Sequence, residues 1–245
     1  MENKYNILFT LNSSYLTYGK LFINSLYDNN DMTKVNTVYL ADTGLTKQDK
    51  KFFNNYPHIK ILKTNIITDF NKGGTWGEGW SNSVISKTQS LYKILQTSPF
   101  PIMMIDADCI IKRDLSNLIS KDVSVQLCCR KPHKIPYLGS FVIIHPDDDG
   151  RLFTQKWINN INNTSGFQAR ESPNLGKTVA ENKNIKIEDI PRIKVSCFNK
   201  KEYNPDVYII HLKGSSLSNN IEQDNQKRIY GKHGFDELIK KYLKE

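Results

Sequence analysis

The 245-residue chain has no apolar run near the roughly 18–20 residues that a membrane-crossing helix needs. Its longest apolar stretches, around residues 99–105 and 141–144, are strand-sized. The first residues, MENKYNILFTLNSSY, lack the apolar core and small-residue cleavage site of a secretory leader. Cysteine is sparse. Cys109, Cys128, Cys129 and Cys197 form no C-x-x-C pair and sit mostly in apolar surroundings, which argues against zinc and secreted-disulfide frameworks and for buried free thiols. With no leader, the Asn162–Thr164 sequon carries no weight. The expected location is cytoplasmic. Glycine-rich G-x-G-x-x-G and Walker lysine motifs are missing, which excludes dinucleotide and P-loop sites. Internal repeats and low-complexity tracts are absent too.

What is present is an ordinary globular composition, with 38% hydrophobic and 24% charged residues. The formal net charge is +9. The excess is lysine dispersed along the chain, the pattern of a solvated surface, although it also suits an anionic small substrate, an anionic lipid or a nucleic acid. Length points to one domain, 1–245.

Strands and helices alternate through the first half. Strands are expected at 5–11, 35–40, 59–62 and 102–105, with helices at 18–27, 46–56 and 83–96. Thr46 reads as a helix N-cap with Asp49 in the first turn. Residues 71–82, rich in glycine and tryptophan, read as a loop. This order predicts an α/β fold with a mixed, mostly parallel sheet flanked by helices. Such sheets place their ligand beyond the carboxyl ends of the strands. Further strands are expected at 124–129, 140–144 and 207–212. Residues 147–205 show little periodicity and read as loops and short helices, and Asp147–Asp149 with Gly150 reads as a turn. A last helix at 235–243 carries one apolar face, suited to docking on the domain or to a peripheral membrane contact.

Three segments carry chemistry. The first is PIMMIDAD, ending at Asp108. Side chains at i and i+2 of a strand share a side, so Asp106 and Asp108 aim together off a buried strand. Two carboxylates this close repel unless a cation joins them, and a hard divalent ion is the natural partner. The second is VYIIHLKG, where His211 and Lys213 share one side and Gly214 permits close approach to a ligand. A neutral imidazole with two carboxylates suits Mn²⁺. The third is LNSSY, just after the first strand. There Tyr15 can stack on a base beside the Asn12 amide, or the same residues can form a capped helix start. Lys87, on the helix leading to Asp106, is either a pyrophosphate contact or solvated surface.

These motifs, in the order NSSY, VYLADTGLTKQDKKFF, PIMMIDADCII, YLGSFVIIHPD and IIHLKG, resemble the GT-A fold glycosyltransferases, and among them glycosyltransferase family 8. The resemblance covers about residues 5–215. It implies a nucleotide-diphospho-sugar transferase fold with a nucleotide-sugar-binding half (1–120), an acceptor-side half (121–215) and a helical tail (216–245). It also implies Mn²⁺ or Mg²⁺ on Asp106, Asp108 and His211, holding the diphosphate of a UDP-sugar. Tyr15 and Asn12 would meet the uracil, and Ala107 the ribose. Lys87 would face the donor, while Gly139 and Ser140 would line the sugar pocket. Glu171 would stand near the transferred sugar. Lys213, with Gly214, would take the place of the family's phosphate-binding lysine. The catalytic set is then Asp106, Asp108, Lys213 and Glu171. The chain departs from the family pattern at Asn12, where aspartate is common, and after Gly214, where Ser215, Ser216 and Leu217 follow.

The implied activity is transfer of a hexose, with retention, to a carbohydrate, lipid-linked or protein acceptor. Three alternatives use the same features. A phosphohydrolase or a nucleotidyltransferase also places Asp-x-Asp at a strand end. A basic nucleic-acid-binding protein would exploit the charge and the tyrosines, but no nucleic-acid module is present and no nucleic-acid partner is expected.

Overall fold

A computed structural model describes residues 4–66, 68, 78–165, 170–212 and 234–243. The first half follows the alternating pattern. β1 (Tyr5–Leu11), α1 (Leu16–Asn29), β2 (Val35–Asp42), α2 (Lys47–Phe53), β3 (Ile59–Lys63), α3 (Glu78–Leu95) and β4 (Ile102–Ile105) succeed one another, with a short 3-10 turn at Ser13–Tyr15. Thr46 caps α2 through a capping box, its hydroxyl accepting from Asp49 N while the Asp49 carboxylate accepts from Thr46 N.

Period-2 alternation fixes which helix each strand residue meets. Ile7, Phe9, Met103 and Ile105 pack with Phe22, Ile23 and Leu26 of α1. Leu8, Ile102 and Met104 pack with Leu91, Ile94 and Leu95 of α3. A strand buried on both faces needs apolar residues at every position, which is why IMMI has no polar alternation.

The second half adds β5 (Cys109–Ile111), β6 (Val125–Cys129), β7 (Tyr137–Ile144), α4 (Asp148–Asn162), α5 (Glu171–Glu181), β8 (Ile187–Pro191), a single turn α6 (Arg192–Val195), β9 (Ile209–His211) and a last helix, Asp236–Leu243. The main sheet runs β3-β2-β1-β4-β7-β6-β8. Only β7 opposes its neighbours, so β4, β6 and β8 all end at one edge with β1, β2 and β3.

Several sequence expectations need correction. Residues 147–205 are not mainly loop: α4 spans 15 residues and α5 spans 11. Asp147 is not in a free turn but is the N-cap of α4, accepting from Gly150 N at 2.7 Å. Asp148 and Asp149 then complement the helix dipole. Asparagines between Phe153, Trp157 and Ile161 blur the helical signal, while those three residues form a buried stripe. α3 starts at Glu78, inside the expected loop, whose residues 71–77 lie outside the described ones. β5, not expected at all, pairs antiparallel with β9 in a separate two-stranded sheet.

The last helix docks as one of its two readings required. Phe235, Ile239 and Tyr242 are buried with Tyr18 and Leu21 of α1 and with Ile110 and Ile210 of the small sheet. Its apolar face is therefore covered by the fold and does not lie open to a membrane. Among the described residues no helix is long and apolar enough to cross one.

Candidate active site

Asp106 and Asp108 leave β4 at the carboxyl edge of the sheet. The Asp106 amide donates to Ser140 O of β7 at 3.0 Å, and the short strand β5 follows at once. β5 pairs Cys109 with His211 in β9, and Leu212 N donates to Asp108 O at 2.8 Å. This two-stranded ladder carries the imidazole to the carboxylates from far along the chain. His211 Nε2 lies 3.2 Å from Asp108 Oδ1 and 3.8 Å from Asp106 Oδ2. Its Nδ1 lies 2.9 Å from the hydroxyl of buried Ser196, and Phe198 sets its ring edge against the imidazole at 5.8 Å between centroids. A histidine whose far nitrogen is fixed in this way presents Nε2 in one direction. Facing two carboxylates, that nitrogen must carry a proton or donate its lone pair to a cation.

The other side of Asp106 meets Lys87. Val84, Lys87 and Leu91 fall on the buried face of α3, so the lysine stands where an apolar residue is expected. Its ammonium contacts Asp106 Oδ1, lies 3.0 Å from Glu171 Oε1 and donates to Gly139 O at 3.3 Å. Burial alone would push the ammonium down. The charges of Asp106 and Glu171 outweigh it and hold Lys87 above the usual lysine range. Burial pushes Glu171 up to about 7 against the pull of Lys87. Glu171 opens α5, and Trp157 Nε1 donates to its carbonyl at 2.9 Å. A Cβ on Gly139 would lie 2.5 Å from Glu171 Cγ, so only glycine lets this carboxylate reach the lysine.

Two buried atoms in this wall, Ser140 Oγ and Glu171 Oε2, have no hydrogen-bond partner among the described residues. Leaving a buried acceptor or hydroxyl unpaired is costly.

The charge and donor types fit a divalent cation. Two carboxylates and an imidazole form the hard oxygen-and-nitrogen set that Mn²⁺ or Mg²⁺ takes. Cys109 Sγ also lies within 4.8 Å of the Asp108 and His211 donor atoms. Burial, with the charges of Asp108 and Asp106, holds its thiol well above the usual range. Thiolate is a soft donor and Mn²⁺ and Mg²⁺ are hard ions, so the set Asp106, Asp108 and His211 suits them better than one built on Cys109.

The remaining expected residues fall nearby or in other tasks. Ala107 is buried between the two aspartates. Asn12 is engaged within the fold: its Oδ1 accepts from Ser14 Oγ at 2.8 Å and Tyr15 N at 3.2 Å, and its Nδ2 donates to Thr68 Oγ1 at 3.1 Å. Tyr15 stacks obliquely on Tyr18 at 5.3 Å. Burial, then the charge of Asp108, raises its hydroxyl far above the usual value. Lys213 and Gly214 lie outside the described residues. Sequence reasoning missed Ser196, which becomes a neighbour of the site only through His211 of β9, and read Cys109, next to Asp108 in the chain, as a buried thiol alone. It placed Lys87 near Asp106 but not between two carboxylates. A lysine on the apolar stripe of α3 was the available signal.

No family model and no curated protein sequence matches the chain. Solved structures do. The bifunctional glycosyltransferase WbbM matches over 99% of this chain at 10% identity and a TM-score of 0.58. The glycosyltransferase GlyE of Streptococcus pneumoniae matches over 99% at 11% identity and 0.57. The galactosyltransferase LgtC, in complex with donor and acceptor sugar analogs, matches over 96% at 10% identity and 0.57. The fold is that of the GT-A glycosyltransferases. The chain spans 52% of the WbbM chain and 63% of the GlyE chain, but 95% of the LgtC chain.

Proposed function

We propose that this GT-A domain transfers a sugar, a hexose by the resemblance, from a UDP-linked donor to an acceptor, with retention and with Mn²⁺ or Mg²⁺ as cofactor. One observation carries the reading. His211, far along the chain from the acidic pair, sets Nε2 3.2 Å from Asp108 Oδ1 and 3.8 Å from Asp106 Oδ2 at the carboxyl edge of the sheet, on a fold shared with sugar transferases. Asp106, Asp108 and His211 would hold the cation, which supplies Lewis-acid neutralisation of the departing diphosphate.

The chain's own groups do the rest. Ser196 fixes the ring of His211, so Nε2 keeps one orientation. Lys87 bridges Asp106 and Glu171, which offsets part of their charge and fixes both carboxylates in a water-poor wall. Glu171 is proposed to sit beside the transferred sugar. Among the described residues its Oε2 and the Ser140 hydroxyl are buried without a hydrogen-bond partner, so both keep bonding capacity in the wall beside the proposed sugar site. Tyr15 is proposed to pack on the uracil. Asn12, tied to Thr68 and the Ser13–Tyr15 turn, holds the loop that positions it. The acceptor half is assigned to the elements after residue 120.

The test is a thermal-shift panel of UDP, GDP, UDP-glucose and UDP-galactose, each with and without Mn²⁺. A ligand at 100 times its Kd adds about 2.7 kcal/mol, or roughly 5–10 °C for a chain of this size. Stabilisation by UDP only with metal is expected. Indifference to every nucleotide with metal present would overturn the reading.

A further inference from the structure

The carboxyl edge of the sheet holds a second recess beyond Asp106, on the β6–β8 side. β6 and β8 run parallel to each other and in the same direction as β4, so the ends of both strands open on the edge that carries the acidic pair. Between those ends lies a cleft of about 440 Å³, lined by Arg130, Lys131 and Arg192, with Asp189 as its only acid among the described residues. That volume is in the range of small-molecule sites.

The three cations are not equally committed. Arg192 is clamped from outside the cleft by Glu202, through paired bonds of 2.9 and 3.0 Å. Lys131 meets Asp189 at 2.9 Å in an exposed and therefore weak pair, and its ammonium also lies 4.9 Å over the Tyr137 ring. Arg130 uses Nε to donate to Ile135 O at 2.6 Å, which orients its guanidinium. Among the described residues no carboxylate pairs with it. Burial, with the like charge of Arg192 nearby, lowers its pKa. An arginine keeps its proton in such a position, and its planar fork is shaped to take an anion.

We propose that this cleft docks an oxyanion, a phosphate or carboxylate carried by the acceptor sugar, on the guanidinium of Arg130 with Lys131 closing over it. The planar fork of an oriented arginine matches both groups through paired hydrogen bonds. The cleft is wired to the acidic site. Arg192 also donates to Ser196 O at 3.3 Å, and Ser196 Oγ bonds His211. An acceptor held by its charge in the cleft therefore lies along the edge from the groups proposed to hold the donor. The word acceptor rests on the transferase reading, whereas the anion site itself does not.

The experiment is calorimetric titration of the protein with glucose 6-phosphate, glucuronate, inorganic phosphate and glucose. The proposal expects a charged sugar to bind and glucose not to, with affinity falling as salt rises. Whether glucose 6-phosphate or glucuronate binds tighter identifies the oxyanion. Arg130→Gln is expected to weaken the charged sugar at least tenfold and Lys131→Gln several-fold, while stabilisation by UDP with Mn²⁺ persists in both. Equal binding of glucose, unchanged affinity in the folded Arg130→Gln protein, or binding of inorganic phosphate alone would each overturn it. Charged-sugar binding that depends on Arg130, in a protein indifferent to UDP with Mn²⁺, would leave the anion site standing and remove the donor reading.

Discussion

Asp106 has two flanks, and they solve the same problem differently. On one side Lys87, its side chain 6% exposed, bridges Asp106 and Glu171. That charge is permanent and internal, and an ammonium has no lone pair to offer while it stays protonated. On the other side His211 faces Asp106 and Asp108 with a nitrogen that can carry a proton or give it up for a cation. One flank is thus closed by the fold, and the other is exchangeable. The difference separates a wall that holds shape from a face that can bind.

Removing the internal cation should have the largest effect. Lys87→Met leaves Asp106 and Glu171 without the ammonium that compensates them. Breaking a buried pair this way costs about 3–5 kcal/mol. Denaturant unfolding at pH 8 should show the loss, and it should shrink at pH 5, where Glu171 takes up a proton. A loss below about 1 kcal/mol at pH 8 would mean that water already screens the wall.

The exchangeable flank should instead answer in chemistry. Asp108→Asn keeps the shape of the side chain and removes its charge. Loss of one electrostatic group of this kind typically slows turnover roughly 100–1000-fold, and here the loss should appear in metal-dependent transfer from a UDP-sugar. A variant with the wild-type rate would show the exchangeable flank to be idle.

The two flanks also differ in how much of them the sequence discloses. β1 and β4 are readable to the residue because both faces of each strand are buried, and an unbroken apolar run admits few alternatives. The pair Asp106 and Asp108 follows from the end of that run. His211 is readable as a polar residue closing another apolar strand, but its meeting with Asp108 depends on the β5–β9 ladder. Three-residue strands have too little pattern to announce themselves, and pairing across a long separation leaves no local trace. Lys87 and Glu171 are harder still. Each owes its state to the other, and Glu171 reaches the lysine only because Gly139 leaves room. The α4 helix that supports Glu171 through Trp157 was hidden by asparagines of weak helix propensity.

Ser196 sharpens the contrast, since it acts on the exchangeable flank alone. Ser196→Ala removes the hydrogen bond to His211 Nδ1 and leaves Lys87 untouched. Loss of an outer partner of this kind weakens metal affinity about 10–100-fold. Calorimetric titration with Mn²⁺ should show this weakening, and turnover should recover when Mn²⁺ is raised. Threonine at 196 should restore part of the affinity. Affinity unchanged in the alanine variant would mean that the strand ladder alone orients the ring.

The smallest effect tests the closed flank from its acidic end. Because burial raises Glu171 from an ordinary 4.5 to about 7, the folded chain holds that proton more tightly than the unfolded chain. Its linked contribution is therefore most favourable below about pH 4.5 and is lost as pH rises through 7. Asp42, Asp49 and Asp114 have lowered values, so their contributions are lost at the acid end, below the usual 3.8. His145, lowered by burial, acts in an overlapping window with the opposite sign, because it must charge as pH falls through 6.5. The difference between wild type and Glu171→Gln isolates the glutamate. Glutamine keeps an acceptor for Lys87 and cannot titrate. In metal-free buffer the variant should lose the decline between pH 4.5 and 7, gaining on the order of 1 kcal/mol relative to wild type across that window. Parallel stability curves for the two proteins would place the proton elsewhere, and the closed flank would then be a plain ion triad that stays charged throughout.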